Sequence, residues 1–146
     1  MPHLTELPDL FCACATVRRA ARAVTNLYAE ELRDYLEPSQ FALLAWLNGH
    51  PGCSQAALGK AMLIDKATLS RNLRLMQKNG WLHHAATSDK RERGVRLTVE
   101  GKELLEAAKP HWKRAQEKLK SGMTREQWDA MWLALGLLTA ATQDQE

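Results

Sequence analysis

The sequence predicts a mainly α-helical protein that carries one small β-hairpin. Two helical patterns, Ser54–Met62 and Asp65–Lys78, are separated by only two residues. Two strand-like runs, Trp81–Thr87 and Val95–Leu97, follow them and enclose the charged tip SDKRERG. A helix, a tight turn, a second helix and a basic hairpin form the plan of a winged helix-turn-helix. That plan places the second helix in a DNA major groove.

The composition favours one soluble globular domain. Of the 146 residues, 45% are hydrophobic and 25% are charged, which is ordinary for a folded protein and not for a disordered one. No apolar run approaches the ~18 residues of a membrane span, and the N-terminus MPHLTELPDL lacks the pattern of a signal peptide. Three cysteines cannot all pair within one chain, which favours free thiols and residence in the reducing cytoplasm.

Positive charge is concentrated in the middle of the chain. The net charge is +3, but the segment Lys60–Arg96 contains nine cations and three anions, so it carries +6 and the remainder carries −3. Such a segment predicts a polyanionic partner. A solvated charged surface is the alternative interpretation.

Long amphipathic helices are predicted at both ends of the chain. The first spans 9–36, with an apolar residue every three or four positions. The last two span 99–142; Thr98 caps the first of them, Pro110 should kink it near Ala107, and Thr124 opens the second with a capping box. A long helix at a terminus often packs against a second subunit, and this is expected of the first helix; packing along its own domain is the alternative.

Between these ends, 37–97 forms the predicted DNA-binding part of the single chain 1–146. Pro38 suits the first position of a second helix, whose apolar face contains Phe41, Leu44 and Leu47. Ser54 caps the third helix. The sequence thus predicts six helices in all.

The fourth helix has the features of a recognition helix. Asp65 is its expected N-cap, and Leu69, Leu73 and Met76 form the stripe expected to be buried. Small, hydroxyl and basic side chains, which suit contact with base edges and phosphates, occupy the opposite face and the first turn. They are Lys66, Ala67, Thr68, Ser70, Arg71, Arg74 and Lys78.

The tip of the hairpin is the second predicted DNA contact. It carries Lys90, Arg91 and Arg93 on a turn that cannot bury much. A basic loop beside a recognition helix can place an arginine in the minor groove or clamp phosphates.

With these residues identified, the chain resembles the MarR family of bacterial transcriptional regulators over nearly its whole length. The most specific match is the wing, where Asp89-Lys90-Arg91 leads to Val95-Arg96-Leu97-Thr98 and then Gly101. The other matching segments are Gln40–Leu44, Ser54–Gly59, Asp65–Leu73 and Lys78–Leu82.

The resemblance implies a homodimer in which the first, fifth and sixth helices interlock, and which binds a palindromic operator, usually as a repressor. The two recognition helices would then lie about one DNA turn, roughly 34 Å, apart. It also implies that Arg91 or Arg93 enters the minor groove and that Asp89 shapes the wing by pairing with an arginine. Lys90 replaces the family's usual arginine and Glu92 interrupts the basic run, two departures that would re-tune wing contact.

Members of the family are commonly released from DNA by small aromatic acids or by oxidation, and the sequence leaves both open. Cys12 and Cys14 are the candidate redox residues, because a helix N-terminus and nearby arginines favour a thiolate. They lie two positions apart and therefore point to different sides of a helix. A small aromatic effector is the other possibility, with a pocket lined by Trp46, His50, His111 and Trp112.

Other function classes fit less well. A winged-helix module that binds protein and not DNA is the alternative, but such modules usually lack the basic tip and outward arginines. No nucleophile–base pair, glycine-rich phosphate loop or cofactor motif indicates an enzyme. His83 and His84 are adjacent on a strand, and no CxxC or HxxxH spacing indicates a metal site.

Overall fold

Residues 12–86 and 93–143 are described by a computed structural model, in which six helices and three strands follow one another. In chain order these are α1 (Ala13–Leu32), α2 (Pro38–Gly49), β1 (Cys53–Ser54), α3 (Gln55–Met62), α4 (Lys66–Lys78), β2 (Leu82–Ala86), β3 (Arg93–Leu97), α5 (Val99–Ser121) and α6 (Arg125–Gln143). The predicted fold class, six helices with a hairpin between the fourth and the fifth, is confirmed.

Helix starts follow capping signals that are local in the sequence. Ser54, Asp65, Thr98 and Thr124 each accept a hydrogen bond from the backbone N–H three residues later, at 3.1, 2.9, 3.0 and 3.2 Å. Pro38 occupies the start of α2, where its missing N–H costs nothing. These predicted caps are confirmed.

The first helix ends earlier than predicted. It stops at Leu32 and not at residue 36, and the N–H groups of Tyr35 and Leu36 both bond back to the Leu32 carbonyl, at 2.8 and 3.2 Å. Glu37, which directly precedes Pro38, is extended with φ of −70° and ψ of 149°, so the chain has left helical geometry before α2 begins. The expected start of this helix at Asp9 lies outside the described residues.

Proline does not interrupt the fifth helix. α5 is continuous from Val99 to Ser121, with Pro110 exposed inside it. On an exposed face, water can satisfy the carbonyl that loses its N–H partner. The bend near Ala107 stays a prediction.

Contacts divide the chain into two compact units, 28–112 and the two ends, 1–27 with 113–146. The first unit contains α2–α4, the sheet and the main hydrophobic core. Leu69, Leu73 and Met76 of α4 are at most 2% exposed, and Phe41, Leu44 and Leu47 of α2 are also buried. Both predicted apolar stripes are therefore confirmed, and they fix which side of α4 faces outward.

The hairpin belongs to a three-stranded antiparallel sheet in the order β1-β3-β2. The sequence predicted β2 and β3, but β2 begins at Leu82 and not at Trp81, and β3 begins at Arg93 and not at Val95, because Arg93 and Gly94 pair with Ala86 and Ala85. Thr87 lies outside the described residues, and β1 was missed. Cys53 pairs with Val95, and Ser54 pairs with Gly94. A Cβ atom on Gly94 would lie 2.7 Å from the Gly52 carbonyl oxygen, so a glycine is required for this approach.

Candidate DNA-binding surface

The start of α4 is held by Asp65. Its carboxylate accepts the Thr68 N–H at 2.9 Å, and the hydrogen bonds from the side chain and backbone of Thr68 lower the pKa of Asp65 below its usual value. Asp65 is ionised near neutral pH, which matches the positive end of the helix dipole. The carboxylate thus fixes the first turn of the helix that is expected to contact DNA.

A tight turn sets α4 against α3. Leu63 ends α3 in the left-handed region, with φ of 51°, and the Ile64 N–H bonds back to the Gly59 carbonyl at 3.0 Å. Gly59 packs so closely that a Cβ atom there would lie 3.2 Å from a methyl carbon of Leu69. Gly59 therefore lets α3 pack closely against α4.

The outer face of α4 carries most of the predicted contact residues. Lys66, Ala67, Arg71, Arg74 and Lys78 are exposed. Ala67, Arg71, Arg74 and Lys78 lie opposite the buried stripe, and Lys66 lies in the first turn, so four cations and one small side chain are accessible on this helix. Attraction to phosphates and bidentate bonds to guanine are both available to this surface.

Two hydroxyl residues of the predicted set are half-buried and already bonded. Thr68 contacts Asp65, as described above. Ser70 accepts a hydrogen bond of 2.7 Å from the Gln55 side-chain N–H of α3. The sequence analysis did not single out Gln55, because a contact across 15 residues has no local signal.

The base of the wing is joined to the end of α4. Gly80, with φ of +82°, ends that helix, and its carbonyl accepts the Thr98 hydroxyl at 2.5 Å. The Thr98 N–H donates to the Trp81 carbonyl at 3.0 Å. These bonds connect the entry of β2 to the exit of β3, so α4 positions the base of the hairpin.

The predicted tip contacts remain predictions. Asp89, Lys90 and Arg91 lie outside the described residues, and Arg93 begins β3, where its backbone pairs with Ala86. Arg96 is a further exposed cation of β3 that was not assigned a role. Its guanidinium covers Gly52, whose φ is +80°, at the turn before β1.

The four residues of the predicted effector pocket form three separate ring contacts. Trp46 stacks on His50 with 3.9 Å between ring centroids. His111 packs on Tyr35 at 4.5 Å, and Trp112 stacks on Phe41 at 5.8 Å. Each ring therefore already has an aromatic neighbour within the protein.

A cleft of about 630 Å³ lies elsewhere, between the end of α5 and the start of α6. Its lining includes Lys120, Arg125 and Trp128 together with Glu117 and Asp129. The balanced charges give it no preference for an anion.

The three cysteines differ in accessibility. Cys12 and Cys14 are exposed and free at the start of α1, whereas Cys53 is half-buried and burial raises the pKa of its thiol. Raising the pKa lowers the thiolate fraction, so Cys53 is the less reactive type of site.

Within 12–86 and 93–143, no group of three histidine, cysteine or acidic residues is placed to hold a metal ion. None of the helices described there has the length and hydropathy needed to cross a membrane.

Comparison with known proteins identifies the family and the fold of the chain. A sequence profile of the MarR family matches residues 36–92. The transcriptional regulator HosA of Escherichia coli O157:H7 is 38% identical over 97 residues, which is 64% of this chain and 70% of HosA. The M. tuberculosis regulator MosR, solved in complex with DNA, is 29% identical with a TM-score of 0.84, covering 92% of this chain and 98% of MosR. The S. aureus MepR–DNA complex, at 20% identity, shares the fold with a TM-score of 0.80, covering 90% of this chain and 99% of MepR. The chain belongs to the MarR family and is a DNA-binding transcriptional regulator with a winged helix-turn-helix fold, not an enzyme.

Proposed function

We propose that this protein is a homodimeric repressor that binds a palindromic operator through the outer face of α4 and the tip of the wing. The observation that carries the proposal is the exposed basic surface of α4. Its N-cap, its buried stripe and its exposed arginines give the helix one orientation, with Arg71 and Arg74 outward. Arg71 and Arg74 would contact bases, and Lys66 and Lys78 would contact phosphates.

The surface of the terminal unit supports the homodimer. No residue of α6 is buried, and its exposed apolar side chains include Trp132, Leu133 and Leu137 at 55%, 66% and 61% exposure. Val17 and Val24 of α1 are also exposed, at 42% and 37%. Large exposed apolar surfaces mark sites of protein association.

A duplex from the region upstream of the protein's own gene tests DNA binding. Binding should exceed that of random duplex by at least ~10³-fold, and its affinity should fall steeply with added salt. Equal affinity for both duplexes with no salt dependence would contradict the proposal and favour a protein-binding module.

Two groups of variants test the docking geometry. Arg71→Ala should relax base preference at one position of each half-site, by about 1–3 kcal/mol. Arg91→Ala and Arg93→Ala should mainly lower affinity for every duplex. Negligible, equal effects of all three substitutions would contradict the docking.

For the signal, we propose oxidation at Cys12 or Cys14, because both thiols are exposed, whereas the predicted aromatic pocket residues contact rings of the protein itself. A peroxide would oxidise one thiolate to a sulfenic acid while being reduced to water or an alcohol. The Cys12→Ser, Cys14→Ser double variant should then stay on DNA when peroxide is added. Cys53→Ser is the matched control and should still be released. Unaltered release of the double variant would contradict oxidation at these cysteines and favour a small aromatic effector as the signal.

A further inference from the structure

One hydrogen bond links the recognition helix to the helix before it. The side-chain N–H of Gln55, the first residue of α3, donates to the Ser70 hydroxyl oxygen in the middle of α4 at 2.7 Å. Both residues are half-buried. The contact is therefore shielded, yet it lies at the edge of the exposed surface.

Ser70 occupies the border between the buried stripe and the outer face of α4. It directly follows Leu69, which is 1% exposed, and helical spacing places it one turn from Ala67 and from Arg74. Ala67 and Arg74 are exposed. A base edge that approaches Arg74 over the small Ala67 side chain would therefore also approach the Ser70 hydroxyl.

The Gln55 contact restricts what this hydroxyl can offer. A serine hydroxyl has one proton and two lone pairs. The Gln55 N–H occupies one lone pair, so the hydroxyl proton is directed away from Gln55 and remains available. In this arrangement the Ser70 hydroxyl can donate, and its proton is restricted to the two positions that do not face Gln55.

We propose that Gln55 is a positioning residue for sequence recognition, which fixes the Ser70 hydroxyl as a donor to an acceptor on the base edges of the operator. The acceptors of this class in the major groove are guanine N7 and O6, adenine N7 and thymine O4. The inference rests on the proposed docking of the outer face of α4. It adds a residue of α3 to the determinants of specificity without requiring that Gln55 touch DNA.

Gln55→Glu inverts the polarity of the bond at almost constant shape. A carboxylate only accepts, so Ser70 must give its proton to Glu and can offer only a lone pair to DNA. Affinities would be measured for operator duplexes substituted at every position of the half-site. At one base pair, the ratio of affinities for the preferred and the substituted duplex should fall about tenfold in the variant. Ser70→Ala should lower the same ratio at that same base pair. Combining Gln55→Glu with Ser70→Ala should give no further loss there.

Gln77→Glu is the matched control, because Gln77 is an exposed residue of α4 and the substitution adds the same charge. It should lower affinity for all duplexes alike through repulsion of phosphates. If Gln55→Glu lowers affinity equally for all duplexes, as this control does, or if its effect at that base pair adds fully to that of Ser70→Ala, the inference is wrong. If Gln55→Glu does not fold, the base preference of Ser70→Ala is the test. An unchanged base preference in that variant overturns the inference.

The wild-type protein separates this failure from failure of the proposed function. If the wild type discriminates among duplexes and Arg71→Ala relaxes its preference while the Gln55 and Ser70 variants do not, only the role of Gln55 is wrong. If the wild type shows no preference among duplexes, the proposed docking itself is wrong.

Discussion

At the scale of single residues, Asp65 determines how α4 can meet DNA. Its carboxylate accepts the Thr68 N–H at the end of the helix where phosphates are commonly bound. That amide is therefore not available to a phosphate, and a negative charge occupies the helix N-terminus. Contact by α4 must then come from its side chains, which agrees with the exposed cations one to three turns further on.

Asp65→Asn should reduce stability in a pH-dependent way. The hydrogen bonds from Thr68 lower the pKa of Asp65 in the folded state below its usual value. Its charge therefore contributes stability above the unfolded pKa of ~3.9, and this contribution is lost as pH falls through the lower, folded value. Urea unfolding followed by circular dichroism should show the wild type more stable than Asp65→Asn at pH 7 and converging with it in acid.

The comparison is informative because asparagine is itself a good N-cap, so only the contribution of the charge is removed. Asp34→Asn, at an exposed aspartate in the turn after α1, controls for the loss of one negative charge. A stability difference between wild type and Asp65→Asn that stays constant down to strong acid would show that the charge of Asp65 does not stabilise the folded state.

At the scale of elements, the wing depends on a close approach between α5 and Trp81, which lies between α4 and β2. A Cβ atom on Gly101, in the first turn of α5, would lie 2.1 Å from the Trp81 carbonyl oxygen. That carbonyl also accepts the Thr98 N–H at 3.0 Å. Gly101 therefore permits the contact through which α5 closes the base of the hairpin.

Gly101→Ala should lower the free energy of unfolding by about 1–3 kcal/mol, because the added methyl group displaces backbone on both sides of the junction. DNA affinity should fall as well, since the base of the wing moves. Gly49→Ala is the control, because nothing lies within 4 Å of a Cβ atom there and its φ is not positive. A thermal unfolding series that ranks the two variants as equally stable would show that the junction tolerates the methyl group.

Local and long-range contacts differed in how well the sequence could predict them. Ser54, Asp65 and Thr98 were recognisable as caps because each bonds to a backbone N–H only three residues away. β1 was missed because two residues contain no periodicity, and their pairing with β3 is fixed by contacts about 40 residues away along the chain. The Gln55–Ser70 bond and the ring pairs Tyr35–His111 and Phe41–Trp112 also depend on tertiary packing, so residue type and spacing could not specify them.

At the scale of the whole molecule, α6 is the element least explained by one copy of the chain. Helical spacing places Trp132, Leu135 and Leu138 on one side of it and Leu133 and Leu137 on nearly the opposite side, yet all five are exposed. A helix that is apolar on every side is normally enclosed. In the homodimer proposed above, a partner helix that interlocks with α6 would enclose both sides, whereas a flat contact would cover only one.

Leu137→Glu should therefore convert a dimer into a monomer. Burying a carboxylate among apolar side chains is costly, and no cation in the described part of α6 beyond Arg125 is available to pair with it. Sedimentation should give a mass near 16.4 kDa for the variant and twice that mass for the wild type. Operator affinity should fall by at least ~100-fold, because two half-sites are no longer bound by one linked particle.

Thr142→Glu is the control: it changes an exposed polar position near the end of the same helix and should remain dimeric. If Leu137→Glu keeps the wild-type mass and operator affinity, this side of α6 does not contact a second subunit, and the exposed leucines must be covered by something else.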